Sequence, residues 1–166
     1  LEDQLLYLHD KGFQTLSLSD LASSFENQQP LPPKSVILTF DDGFRDFYTN
    51  AFPLLKKYNM LAVSFYDVGY SKFPGYMDTQ MLREINNTGL VDVQPHSMSH
   101  LMLTKLQPEE QRREIFDSKR ILEEILGKKV NYFAYPYGDF DQNVINLVQE
   151  AGYKLSFGTL PGYTLK

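Results

Sequence analysis

The sequence predicts an α/β fold built on a mostly parallel sheet, either open or closed into a barrel. Short apolar segments alternate along the chain with longer stretches of helical periodicity. The segment 35–40, Ser-Val-Ile-Leu-Thr-Phe, is apolar without alternation, as suits a strand buried on both faces of a parallel sheet. The 166 residues are enough for one domain with one core, and residues 1–166 read as a single domain. The chain opens at Leu1 inside a helical pattern and without an initiator Met. It is therefore expected to be a piece of a longer protein, cut at one or both ends, and the lack of a visible leader leaves the parent's address open.

Residues 1–11 read as a helix with Leu1, Leu5, Leu6 and Leu8 on its apolar side and Gly12 at its end. Residues 15–18 suit a short strand, and Ser19 is placed to cap a helix over 20–25. Residues 26–34 are polar, contain three prolines and read as a connector. The 35–40 strand follows, then a turn at Asp41-Asp42-Gly43. A helix over 50–58 holds Pro53 in its first turn, and 61–66 is a second buried strand. Residues 78–87 form a helix capped by Asp78 and ended near Gly89, before a strand at 90–93. Residues 108–126 make a long amphipathic helix stopped by Gly127. It turns Ile115, Ile121, Leu122, Ile125 and Leu126 inward and its charges outward. A strand at 131–135, a helix at 142–151 and a strand at 153–157 complete the alternation, and the tail 158–166 shows no pattern.

Composition removes several function classes. A net charge of −5 argues against a nucleic-acid surface and makes a neutral or cationic polymer the easier partner. No apolar run approaches the roughly 20 residues that a membrane-spanning helix needs. There is no Cys, so disulfides and thiolate metal sites are excluded. Eleven Tyr and twelve Phe accompany no Trp; rings of this kind stack on sugars, although most serve a core.

In parallel α/β folds, functional groups gather where strands end. Three strand ends carry unusual chemistry. At the first, Asp41 and Asp42 are adjacent carboxylates, each raising the other's pKa, and a cation relieves that repulsion. Adjacent side chains diverge, so one Asp can ligate while the other faces the reacting group. Asp-Asp-Gly also forms ordinary surface turns. At the second, His96 and His100 stand four apart, so one helical turn would put both imidazoles on one face. Structural or solvated histidines would look alike. His9, the one other histidine, has no partner at ligand spacing and reads as surface. One Asp and two His leave coordination positions open, a catalytic rather than a structural pattern. At the third, Phe133-Ala134-Tyr135-Pro136-Tyr137-Gly138, Pro136 stops a strand and Gly138 permits a bend that can aim a backbone N–H at oxyanion charge. A plain strand-ending turn has the same composition.

These three motifs, in this order and spacing, resemble the polysaccharide deacetylase (NodB-homology) family of carbohydrate esterases, over about residues 1–157. The resemblance implies a deformed (β/α) barrel with outer helices and one divalent metal, zinc in the first place, with cobalt, nickel or manganese as alternatives. It implies Asp42, His96 and His100 as ligands, Asp41 as general base and the Tyr137 N–H as oxyanion donor, with Tyr135 and Pro136 lining the substrate. The reaction it implies is metal-assisted hydrolysis of N-acetyl groups on an N-acetylglucosamine-containing polysaccharide, such as a cell-wall glycan, a chitin-like polymer or biofilm poly-N-acetylglucosamine. The implied location is extracellular or at the cell surface.

The sequence departs from the family pattern at three points. Ala134 stands where many members carry an Arg that steadies the base. No His follows His100 to serve as the family's general acid, and the order of elements resembles a subgroup whose acid lies upstream of the first helix. The family's Asp-Trp motif has no counterpart. These departures keep two alternatives open: a catalytically inactive glycan-binding module, and an O-acetyl esterase acting on another polysaccharide.

Overall fold

The computed structural model describes residues 1–160. Among them, six α-helices surround seven short strands. The helices are α1 (Glu2–Asp10), α2 (Leu18–Asn27), α3 (Phe52–Tyr58), α4 (Thr79–Asn87), α5 (Pro108–Leu126) and α6 (Gln142–Glu150). The strands are β1 (Gln14–Thr15), β2 (Ser35–Val36), β3 (Thr39–Phe40), β4 (Ala62–Tyr66), β5 (Val91–Pro95), β6 (Tyr132–Ala134) and β7 (Leu155–Phe157). Every strand pairing is parallel: β1 with β2, β3 with β4, β4 with β5, and β6 with β7. Neighbours in the chain are neighbours in space, joined by crossover helices, and the whole is a deformed (β/α) barrel.

The deformation is visible at its seams. The run 35–40, expected to be one strand, divides: β2 lies on β1, and β3 lies on β4. This run is only partly buried, and Thr39 is exposed, because its upper end opens into a cleft rather than under a second layer. Between β5 and β6 a side chain replaces the ladder. The Gln94 Oε1 accepts the N–H groups of Asn131 and Tyr132, each at 3.0 Å.

The pleat divides the core in two. Val63 and Phe65 of β4 point inward with Tyr132 and Ala134 of β6, and Leu18 and Ala22 of α2 complete this inner cluster. Ala62 and Tyr66 point outward against Leu55, Leu82, Ile85, Ile115 and Leu122. Each such fully buried aliphatic side chain contributes about 1.5–3 kcal/mol.

The helix ends explain several boundaries. Asp78 accepts from the N–H groups of Gln80 and Met81, as expected for the cap of α4, and Gly127 ends α5 in the left-handed region. The cap of α2 is Ser17, not Ser19. Ser17 Oγ accepts from Asp20 N–H, and the Asp20 carboxylate accepts from Ser17 N–H, so the helix starts at Leu18 where a strand was expected. The chain is already helical before α3, through a π-turn at Phe47–Ala51. On α1 only Leu5 is buried, and the expected apolar side leaves Leu1 and Leu6 in solvent. No helix among the described residues is long and apolar enough to cross a membrane.

Candidate metal centre and cleft

The carboxyl ends of β3 to β7 converge on a cleft of about 350 Å³, within the size range of small-molecule sites. Asp41 and Asp42 follow β3, His96 and His100 follow β5, and Tyr135 and Tyr137 follow β6; all six line it. Gly158 and Thr159, beyond β7, close the far wall.

The Asp41-Asp42-Gly43 turn is tight. Asp42 has φ 68° and Gly43 φ 79°. A Cβ on Gly43 would stand 2.0 Å from the Tyr66 ring, so glycine is required there for space as well as for φ. The turn directs Asp42 at both imidazoles. Its Oδ1 lies 3.3 Å from His100 Nε2 and 3.8 Å from His96 Nε2.

The histidines reach this place by an unexpected route. The chain from His96 to His100 is a loop, not a helical turn, with Ser97 at φ 70° and His100 at φ 51°. Their rings lie 4.9 Å apart between centroids. His96 Nδ1 is 2.8 Å from the Ala134 carbonyl. That carbonyl can only accept, so Nδ1 carries the proton and Nε2 presents its lone pair towards Asp42. Burial lowers the His96 pKa, against the raising effect of that bond and of Asp41 and Asp42, which keeps the ring neutral and fit to ligate. Ala134, at the position where the resemblance led to an expected Arg, thus supplies a backbone acceptor for the second nitrogen of a candidate ligand.

The loop is held from α5 by Glu114. One carboxylate oxygen accepts the N–H groups of Met98 and Ser99, each at 2.9 Å, and the other accepts the Ser99 hydroxyl. Ser97 Oγ accepts His100 N–H at 3.1 Å. Glu114 was expected on an outward charged face, but it is buried, because the loop's free N–H groups need an acceptor there.

A fourth group enters that the sequence reading missed. Asp67 follows β4, the central strand of the sheet β3–β4–β5. A ligand atom of Asp67 and one each of Asp42, His96 and His100 all lie within 4.8 Å of one another. Burial pushes the Asp67 carboxyl up to about 8, reinforced by Asp42, Asp41 and Glu114. The available signal was weaker than the paired acids at Asp41-Asp42: a single Asp immediately after an apolar strand. Asp41 itself is more open, and desolvation still raises its pKa, with His96 opposing and Asp42 adding to the shift. The donor set fits a divalent metal: two imidazoles, one with its tautomer fixed, beside carboxylate oxygens close enough to share one ion.

On the far wall, Tyr137 has φ 58° inside the Pro136–Gly138 turn, and its N–H has no hydrogen-bond partner among the described residues. Its ring packs on His100 at 4.5 Å between centroids. Tyr135 is buried with its hydroxyl on Ser156 Oγ, and Pro136 is buried and is not among the residues that line the cleft. His9 lies on exposed α1, next to Tyr58, away from the cleft.

The profile of the family described as polysaccharide deacetylase matches residues 28–156. The chain belongs to that family. This deacetylase-family chain is 29% identical over 164 residues to the putative polysaccharide deacetylase YxkH of Bacillus subtilis, covering 97% of this chain and 57% of that one. It is 28% identical to the poly-beta-1,6-N-acetyl-D-glucosamine N-deacetylase of Escherichia coli K12, over 95% of this chain and 30% of that one. It therefore spans less than two thirds of either curated relative. Among solved structures, the Streptococcus pyogenes deacetylase PplD, in complex with acetate, superposes with a TM-score of 0.92 at 29% identity, over 97% of this chain and 72% of that one. IcaB from Ammonifex degensii gives 0.88 at 26%, over 95% and 73%.

Proposed function

We propose that this chain removes N-acetyl groups from an N-acetylglucosamine-containing polysaccharide, outside the cell or at its surface, with one divalent metal, zinc before cobalt, nickel or manganese. The observation that carries the reading is the convergence of Asp42 Oδ1 with His100 Nε2 at 3.3 Å and His96 Nε2 at 3.8 Å. The Escherichia coli relative named as a poly-beta-1,6-N-acetyl-D-glucosamine N-deacetylase supports the substrate class.

Asp42, His96 and His100 would hold the ion. When bound, it supplies Lewis acidity towards water and towards the acetyl carbonyl. Asp41 is the general base: it lines the cleft beside this cluster, and its raised pKa brings it nearer the working range of a base. It takes the proton of the attacking water, and a proton must reach the departing amine for the C–N bond to break. The N–H of Tyr137, a cleft-lining residue, is unpaired among the described residues and would donate to a tetrahedral oxyanion. Tyr135 and the turn begun by Pro136 shape the acetyl end of the cleft.

The test is acetate release from an N-acetylated glucosamine polymer by metal-loaded protein. Asp41→Asn is expected to lose about 10²–10⁴-fold in turnover with metal retained. His96→Ala is expected to lose metal and turnover together. Glycan binding without acetate release by the metal-loaded protein would refute the enzyme. Equal metal loss in both variants would refute the division between Asp41 and Asp42.

A further inference from the structure

Among the described residues, three buried side-chain polar atoms have no hydrogen-bond partner: Ser64 Oγ, Asp67 Oδ1 and Asn86 Oδ1. Asp67 is the one of the three that can carry charge, and it is 2% exposed. A buried carboxylate oxygen without a donor or cation is strongly disfavoured in its charged form. The charged groups that act on it most are carboxylates, those of Asp42, Asp41 and Glu114, which add to that cost.

The backbone fixes it there. Val68 N–H donates to Ser97 O at 3.1 Å, and Gly69 N–H donates to Met98 O at 2.8 Å, so the chain beyond Asp67 is stitched to the histidine loop. A Cβ at Gly69 would stand 2.6 Å from Met98 O, so the close approach needs this glycine. Asp67 is thus held in the gap between Asp42 and His96, at the end of the strand between theirs.

The geometry points to Asp67 as a fourth protein ligand of the metal, beside Asp42, His96 and His100. Donors about 2.0–2.2 Å from one ion stand no more than about 4.4 Å apart. Four ligand atoms already within 4.8 Å of one another therefore need only small side-chain shifts to share one. Two carboxylates and two neutral imidazoles balance the charge of a divalent cation. Four protein ligands would close a tetrahedral site, so an ion that also binds water or substrate here must have more than four ligands. The inference rests on the metal-dependent reading above and adds a ligand to it.

The test is titration of the wild type and of Asp67→Asn with Zn²⁺ and with Co²⁺, whose visible absorption reports its ligand set. A wild type that binds neither ion overturns the metal-dependent reading itself. Once the wild type binds one equivalent, the comparison decides Asp67 alone. Asp67→Asn is expected to bind more than about 100-fold more weakly, beyond the usual effect of an outer-shell change, with an altered Co²⁺ spectrum. Metal-free Asp67→Asn and Asp67→Val are expected to fold and to melt no lower than the metal-free wild type. A smaller loss with an unchanged spectrum overturns the proposal. So does a metal-free Asp67→Asn that fails to fold or melts lower, because that would make Asp67 a structural residue.

Discussion

The two sides of the cleft are finished to different degrees. On the imidazole side the loop is held by a set of paired groups. Ala134 O holds His96, Ser97 Oγ holds His100, and Glu114 takes three donors from Met98 and Ser99. On the carboxylate side, Asp67 Oδ1 is sealed without a donor, and Asp41 and Asp67 both have raised pKa values. The imidazoles are preorganised by the protein, whereas the carboxylates would gain from a cation. The difference places the electrostatic strain of the site on one of its walls.

That contrast breaks most visibly under pH. Burial pushes the Asp67 carboxyl up to about 8 in the folded chain, from an ordinary value of 3.8. Between these values the folded state holds a proton that the unfolded state has lost, so stability falls as pH rises. The penalty is absent below the unfolded value and complete above the folded one, at a slope of up to about 1.4 kcal/mol per pH unit. Denaturant titrations of the metal-free wild type and Asp67→Asn should therefore diverge between about pH 4 and pH 8, with the variant gaining as pH rises. Saturating metal should reverse the trend for the wild type, because binding requires the deprotonated acid. Parallel curves would place the strain elsewhere.

The imidazole side is tested at Glu114. Glu114→Gln places an amide donor where the carboxylate received N–H groups, so the loop loses acceptors without losing volume. Metal affinity should fall about 10–100-fold, the usual range for a supporting group behind the ligands. Calorimetric titration with Zn²⁺ measures it. An unchanged affinity would mean that the loop holds its shape unaided and that the two sides are alike.

The sequence exposed the parts of this site that depend on residue type and order. Paired acids after an apolar strand and two histidines four apart pointed to a cation, and strands alternating with helices pointed to a parallel sheet. It did not expose what depends on where a strand stops and what it meets. The run 35–40 reads as one strand because apolar pattern carries no information on which neighbour pairs with which half. The histidine loop reads as a helical turn because spacing alone cannot register left-handed residues at Ser97 and His100. Asp67 went unread because a single Asp after a strand is also an ordinary turn former, and Glu114 because its helix is charged on most sides. In both cases the meaning comes from a partner element distant in the chain.

The smallest effect sharpens the comparison from outside the cleft. α2 contributes Leu18 and Ala22 to the inner core, and its start is fixed by the reciprocal bonds of Ser17 and Asp20. No ligand group lies on it. Ser17→Ala removes the cap and should cost about 1 kcal/mol, or about 2–4 °C in melting temperature for a domain of this size. Because those bonds position α2 rather than either cleft wall, Zn²⁺ affinity should stay within about twofold of the wild type, a difference of only about 0.4 kcal/mol. If Ser17→Ala weakens metal binding as much as Glu114→Gln does, the site draws its order from the stability of the whole barrel. The contrast between a finished wall and an unfinished one would then have no local cause.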